Sequence, residues 1–152
     1  MKKTLLHLGI LAACALTLGS CSKDDNPVVP SANKNIKFTF STPGVKDAEG
    51  DVVHFTVVGS NSTLNATLWK VNGQVRSNEQ GFLISEAELE AGGTFVVESV
   101  TPLFNASMSI SAQNFGATSY TLKYKAEVNG TVQNDITENI VSSNAFIKDF
   151  SY

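Results

Sequence analysis

The chain is poor in the residues that usually carry covalent chemistry. Among 152 residues there are two cysteines, two histidines and one tryptophan. Both cysteines, Cys14 and Cys21, fall near the N-terminus, so no thiol pair remains downstream to cross-link a domain or to build a cysteine-based zinc site. His7 lies in an N-terminal apolar stretch, which leaves His54 as the one histidine a Ser-His-Asp triad could use. His54 sits within an alternating segment, and no Gly-x-Ser-x-Gly elbow accompanies it, so an exposed strand residue is expected there. Arginine is reduced to Arg76, and the formal charge is −3. Such a surface disfavours nucleic acid, whose phosphates call for clustered Lys and Arg. Gly92-Gly93 is not followed by the lysine of a phosphate-binding loop.

The start of the chain is more explicit. Lys2 and Lys3 precede an apolar run from Leu5 to Leu18. That run falls short of the roughly 20 residues needed to cross a bilayer as a helix. A basic start, a short apolar middle and small residues at the end have the form of a secretory signal. Leu18-Gly19-Ser20-Cys21 resembles the lipobox of bacterial lipoproteins. The resemblance implies that Leu18, Gly19 and Ser20 are read by the signal peptidase and that Cys21 becomes the first mature residue. Cys21 would then carry a diacylglycerol on sulfur and an acyl chain on its amino group, with no other cofactor expected. Loss of Lys2 and Lys3 would take the net charge from −3 to −5.

Residues 22 to 33 are polar and contain Pro27 and Pro30, which reads as an extended tether. Ser22-Lys23-Asp24-Asp25 resembles the acidic export signal of Bacteroidota surface lipoproteins. It implies an outer-membrane, cell-surface location; the periplasmic face is the alternative, with the charges serving as a solvated spacer. The expected organisation is therefore a signal peptide over 1–20, lipidated Cys21 and tether over 21–34, and a folded domain over 35–152.

From residue 35 onward the hydrophobic period is two. Ile36, Phe38 and Phe40 alternate with polar residues, as do Val53, Phe55 and Val57. Further strands are expected over 65–71, 74–76, 94–100, 107–112 and 120–128; 82–84 is a short apolar piece, and 144–152 closes the chain with Phe146, Ile147 and Phe150. Pro43-Gly44 and residues 59–62 read as turns, and Val45 to Gly50 as a polar loop. Asn72-Gly73 and Asn129-Gly130 are hairpin dipeptides. Ser85-Glu86-Ala87-Glu88 has capping-box spacing, and Gly92-Gly93 offers a stop. A short helix over 86–91 and a turn crossing between sheets both fit.

These signals predict an all-β fold, an antiparallel sandwich of seven or eight strands, with a barrel or jelly roll as the alternative. Trp69-Lys70-Val71-Asn72-Gly73 resembles the strand-C tryptophan and turn of Ig-like domains. Residues 119–127 are similar to the penultimate strand of bacterial Ig-like and PKD-like modules. The resemblance implies an Ig-like sandwich with Trp69 as core plug and a tyrosine-corner bond from Tyr120 or Tyr124. No cysteine pair flanks Trp69, and residues 77–93 fit no strand of that pattern cleanly.

Few residues suggest ligands. Asp47, Glu49 and Asp51 alternate in a loop and could begin a calcium site, although no EF-hand spacing follows. Glu86, Glu88 and Glu90 read as one charged turn rather than as an acid and base facing each other across a cleft. Trp69, Phe82, Phe104, Phe115 and Tyr152 could stack on sugars, but most aromatics are needed for the core. Asn61, Asn65, Asn105 and Asn129 match the glycosylation pattern by chance in a bacterial setting. The expectation is a membrane-anchored envelope lipoprotein with a non-catalytic binding or structural domain. Its partners would be the membrane through the lipid and a protein or glycan, without nucleic acid. The alternatives are a carbohydrate-binding accessory, which needs a row of exposed aromatics, a fimbrial or assembly subunit, which needs an unpaired edge, and a small hydrolase or isomerase, which needs a deep polar pocket.

Overall fold

A computed structural model describes residues 34–62, 66–142 and 144–152. The signal segment, Cys21 and the leader lie outside the described residues. Ten strands and one short helix follow in order: β1 (Ile36–Ser41), β2 (Val52–Ser60), β3 (Trp69–Val71), β4 (Gln74–Arg76), β5 (Gly81–Ile84), α1 (Glu86–Gly92), β6 (Thr94–Ser99), β7 (Asn105–Gln113), β8 (Tyr120–Val128), β9 (Thr131–Ile140) and β10 (Ala145–Ser151). A single 3-10 turn spans Asp47–Glu49.

The expected antiparallel sandwich forms. A six-stranded sheet of order β4-β3-β6-β1-β8-β9 faces a four-stranded sheet of order β10-β7-β2-β5. The chain changes sheet at every connection except the two hairpins, β3-β4 and β8-β9. The first two strands therefore lie in opposite sheets, whereas in the immunoglobulin order they are neighbours. The strand count is ten rather than seven or eight, because the short apolar piece at 82–84 and the closing segment both form strands and β9 completes a hairpin that residues 131–140 do not announce. The strand expected over 65–71 is shorter, Trp69–Val71.

Alternation decides the faces. Phe38 and Phe40 of β1, Val53, Phe55 and Val57 of β2, Met108 and Ile110 of β7, and Leu122 and Tyr124 of β8 are all buried between the sheets. Phe40 stacks on Phe55 across the gap at 4.2 Å between ring centroids. Trp69 is fully buried, its Nε1–H donating to the Gln80 carbonyl at 3.0 Å. Residues 59–62 were expected to turn, but β2 runs on to Ser60 because Gly59 and Ser60 stay paired with Ala106 and Asn105 of β7, and Gly59 makes room for that indole. A Cβ at Gly59 would stand 2.6 Å from Trp69 Cζ2. Tyr120 does bond a backbone carbonyl, that of Val52 in the opposite sheet at 3.3 Å, and Tyr124 instead meets the Tyr152 hydroxyl at 2.8 Å.

Both hairpin dipeptides adopt the left-handed pair that a tight turn demands: Asn72 and Gly73 at φ 48 and 82, Asn129 and Gly130 at φ 51 and 78. The capping box resolves the open choice at 86–91 in favour of helix. Glu88 accepts the Ser85 N–H at 3.0 Å, and Gly93, at φ 73, ends the helix with its N–H on the Leu89 carbonyl.

Candidate functional site

The strand registers place the chemistry at one end. β1 leaves Lys34 and Asn35 beside the Asn129-Gly130 hairpin, where the Asn35 N–H donates to Asn129 Oδ1 at 2.8 Å. The loops following β1 and β7 and helix α1 gather at the opposite end. There Val45, expected in a polar loop, is buried, and the three acidic positions separate. The Asp47 N–H donates to Glu90 Oε2 at 3.0 Å, and Lys46 Nζ binds Glu90 Oε1 at 2.8 Å. This bond from Glu90, with its charge, holds the Lys46 ammonium above its usual range. The Lys46 bond, then the Asp47 N–H, hold the Glu90 carboxyl below its own.

Asp51 turns inward and is 2% exposed. Its Oδ2 accepts the Lys46 N–H at 2.9 Å and its Oδ1 a longer bond from the Gly116 N–H at 3.4 Å. No cation among the described residues pairs with it. Glu49 reaches the same spot: a Cβ at Gly116 would lie 2.5 Å from Glu49 Oε2 and 3.5 Å from Asp51 Oδ1. Asn114, 1% exposed, continues the strand that pairs with β2; its amide donates to the carbonyls of Thr118 and Ile140, and its Oδ1 has no partner. Burial raises the Tyr120 phenol well above its ordinary range, and the Asp51 charge adds to the effect.

The three glutamates of α1 serve three tasks. Glu86 accepts the Val53 N–H at 3.3 Å and lies 3.5 Å from His54 Nε2, Glu88 caps the helix, and Glu90 holds Lys46. His54 is half-exposed on the outer face of β2, and no serine nucleophile bonds it among the described contacts. A cavity of about 210 Å³ lies between Thr42, Val45, Lys46, Leu89 and Glu90. That is below the ~300 Å³ at which small-molecule pockets usually begin; a shallow hollow of about 310 Å³ lies elsewhere, beside Thr39, Lys123, Lys125, Asp135 and Thr137. Of the candidate sugar-stacking rings, Trp69 and Phe82 are buried, Phe104 and Tyr152 are half-buried, and Phe115 is exposed. They do not form a row on either sheet. No three His, Cys, Asp or Glu side chains among the described residues converge closely enough to hold an ion by themselves. No described helix is long and apolar enough to cross a membrane. Of the glycosylation-pattern asparagines, Asn129 is committed to its turn.

Sequence reasoning missed the inward turn of Asp51 and the role of Asn114. The period-two series Asp51, Val53, Phe55, Val57 carries the signal for the first. Nothing local marks the second.

No family model and no curated protein matches the chain. Solved structures do. The calcium-bound form of a protein from Parabacteroides distasonis superposes with a TM-score of 0.59 at 12% identity, covering 79% of this chain and 92% of that one. A DUF4425 family protein from Bacteroides ovatus gives 0.54 at 10% identity, with 79% and 94% covered. A domain of unknown function, DUF4425, from Bacteroides vulgatus gives 0.54 at 13%, with 80% and 94% covered. At these identities the likeness is one of fold.

Proposed function

We propose that this chain is a lipid-anchored envelope protein whose sandwich is a non-catalytic binding or structural module. Leu18-Gly19-Ser20-Cys21 carries the reading, and it lies outside the described residues. Structural neighbours from Bacteroides and Parabacteroides support the Bacteroidota-type leader that follows. Each buried methylene contributes about 0.8 kcal/mol, so two or three acyl chains on Cys21 make a lasting anchor. Twelve leader residues extend at most about 40 Å at polyproline-like rise. The described residues begin at Lys34, at the end opposite the acidic loops, so an anchor reached through the leader would lie on the far side from those loops. Labelling with a fatty acid tests the anchor: the native chain takes up label and Cys21→Ala does not. Label retained by Cys21→Ala sinks the reading. Protease treatment of intact cells distinguishes the two membrane faces: a cleaved sandwich means surface display, a protected one the periplasmic face.

A second reading, favoured by the calcium-bound neighbour, is that the acidic end binds calcium. Glu49 and the buried, cation-free Asp51 would hold the ion, helped by Asn114 Oδ1. Calcium takes six to eight oxygens, so backbone carbonyls or water must complete the set. Asp47 is held by Glu90 and stands outside it. Calorimetric titration with calcium gives saturable heat that Asp51→Asn abolishes; a flat titration of the native chain ends this reading.

A further inference from the structure

The sandwich has four margin strands, and two of them are too short to take a further strand. β4 and β5 have three and four residues, too few for a stable added ladder. β10 and β9 each turn one charge toward the gap between the sheets, Lys148 opposite the buried Ile110 and Glu138 opposite the buried Leu122, a recognised defence of exposed edges. β9 differs from β10 in length and in charge. It has 10 residues, no proline and no cation, and among the described residues it pairs with β8 alone. Its charges are Asp135 and Glu138. Asp135 faces outward, opposite Lys125, while Glu138 faces the gap, opposite the buried Leu122.

We propose that the free edge of β9 takes an extended, lysine-bearing segment of a partner protein as an added strand. This deepens the binding-module reading and rests on it. An added strand gains its affinity from the main-chain ladder and its selectivity from the pockets and charges that meet alternate side chains. A second copy is disfavoured, because two β9 strands bring together four carboxylates and no cation. A segment with lysines three positions apart would set one against Asp135 and one against Glu138. Beside Glu138 a cavity of about 150 Å³ is lined by Asn139, Ile140, Asn144, Ala145 and Phe146. The methylenes of a lysine can lie along Ile140 and Phe146 while its ammonium meets the Glu138 carboxylate.

The test uses the full chain purified in detergent and three ten-residue peptides of alternating valine and threonine. The first carries two lysines three apart, the second glutamates at the same places, and the third a central proline between the lysines. Fluorescence anisotropy is expected to show the lysine peptide binding at least about tenfold tighter than the glutamate peptide, with the proline peptide silent. Hydrogen exchange should slow along 131–140. The double variant Asp135→Lys/Glu138→Lys, both positions being exposed, should keep the native circular dichroism and reverse the preference. Absence of binding at millimolar lysine peptide, an unchanged preference in the variant, protection elsewhere than β9, or a β9-paired dimer by light scattering would each overturn the proposal. Fatty-acid label on Cys21 is read separately, so loss of the anchor reading and loss of this one are distinguishable.

Discussion

The two sides of the sandwich are closed by different means. On one side stand β4 and β5, the first three residues long and the second four. They are clasped by side chains: the Arg76 guanidinium lies 4.4 Å over the Phe82 ring, and Trp69 beneath them bonds the Gln80 carbonyl. On the other side stand β9 and β10, with 10 and seven residues. There the link is a chain of hydroxyls, Tyr124 to Tyr152 to the Asn134 amide oxygen, at 2.8 and 2.7 Å. A short margin is defended by having little ladder to offer. A long one must rely on the charges it carries, and those also decide what it admits.

Removing the clasp at its centre should have the largest effect. Trp69→Ala deletes a fully buried indole whose ring edge fills the space beside Gly59. The expected loss is about 3–5 kcal/mol, read as a lower urea midpoint. A loss under 1 kcal/mol would show that the β4/β5 side is not held by this plug.

The other side should respond to alkali. Burial, followed by the Tyr152 hydrogen bond, keeps the Tyr124 phenol far above the ordinary 10.0, and burial also raises Tyr152. The folded state therefore retains protons that the unfolded chain gives up. This contribution to stability is complete below pH 10 and is lost as pH climbs beyond it. Phenolate absorbance should rise together with loss of circular dichroism rather than before it. An early, non-cooperative titration of all three tyrosines would show that the open side exposes them.

How far the sequence discloses this asymmetry depends on the strand. β8 reads directly, since Tyr120, Leu122, Tyr124 and Ala126 alternate with charged or polar residues and a hairpin dipeptide follows. β9 does not. Its apolar residues, Val132, Ile136 and Ile140, recur every fourth position, and Asn134, Asp135 and Asn139 disfavour strand. The neighbouring strand supplies what its own residues withhold: once Asn129 and Gly130 reverse the chain, nine register pairs with β8 hold it, with one bulge at Ala126/Glu127. The acidic end was half legible for a similar reason. Alternation put Asp47, Glu49 and Asp51 on one side, but the 3-10 turn breaks the alternation, sending Asp47 to Glu90, 43 residues away in sequence. Long-range hydrogen bonds of that kind have no local signature.

A smaller change tests the hydroxyl chain alone. Tyr152→Phe keeps the ring against Phe38 at 5.4 Å and removes both hydrogen bonds of its oxygen. The expected cost is about 1 kcal/mol, with faster hydrogen exchange confined to β9 and β10. Equal acceleration in β4 and β5 would mean that the two sides open together and that their difference in closure has no energetic weight.

The smallest effect is expected at the clasp's outer bond. Arg76→Ala removes a cation from the face of Phe82 and leaves Glu79 without its 3.1 Å partner. Both groups are partly solvated, so the cation–π contact is worth about 0.5–1 kcal/mol and the surface ion pair at most a similar amount. The two separate in a double-mutant cycle. Phe82→Leu keeps the buried volume close to native, and in that background Arg76→Ala should cost only what the ion pair supplies. High salt should shrink that remainder further. If Arg76→Ala costs the same with and without the Phe82 ring, the guanidinium stabilises nothing across the sheets, and the β4/β5 side is closed by Trp69 alone.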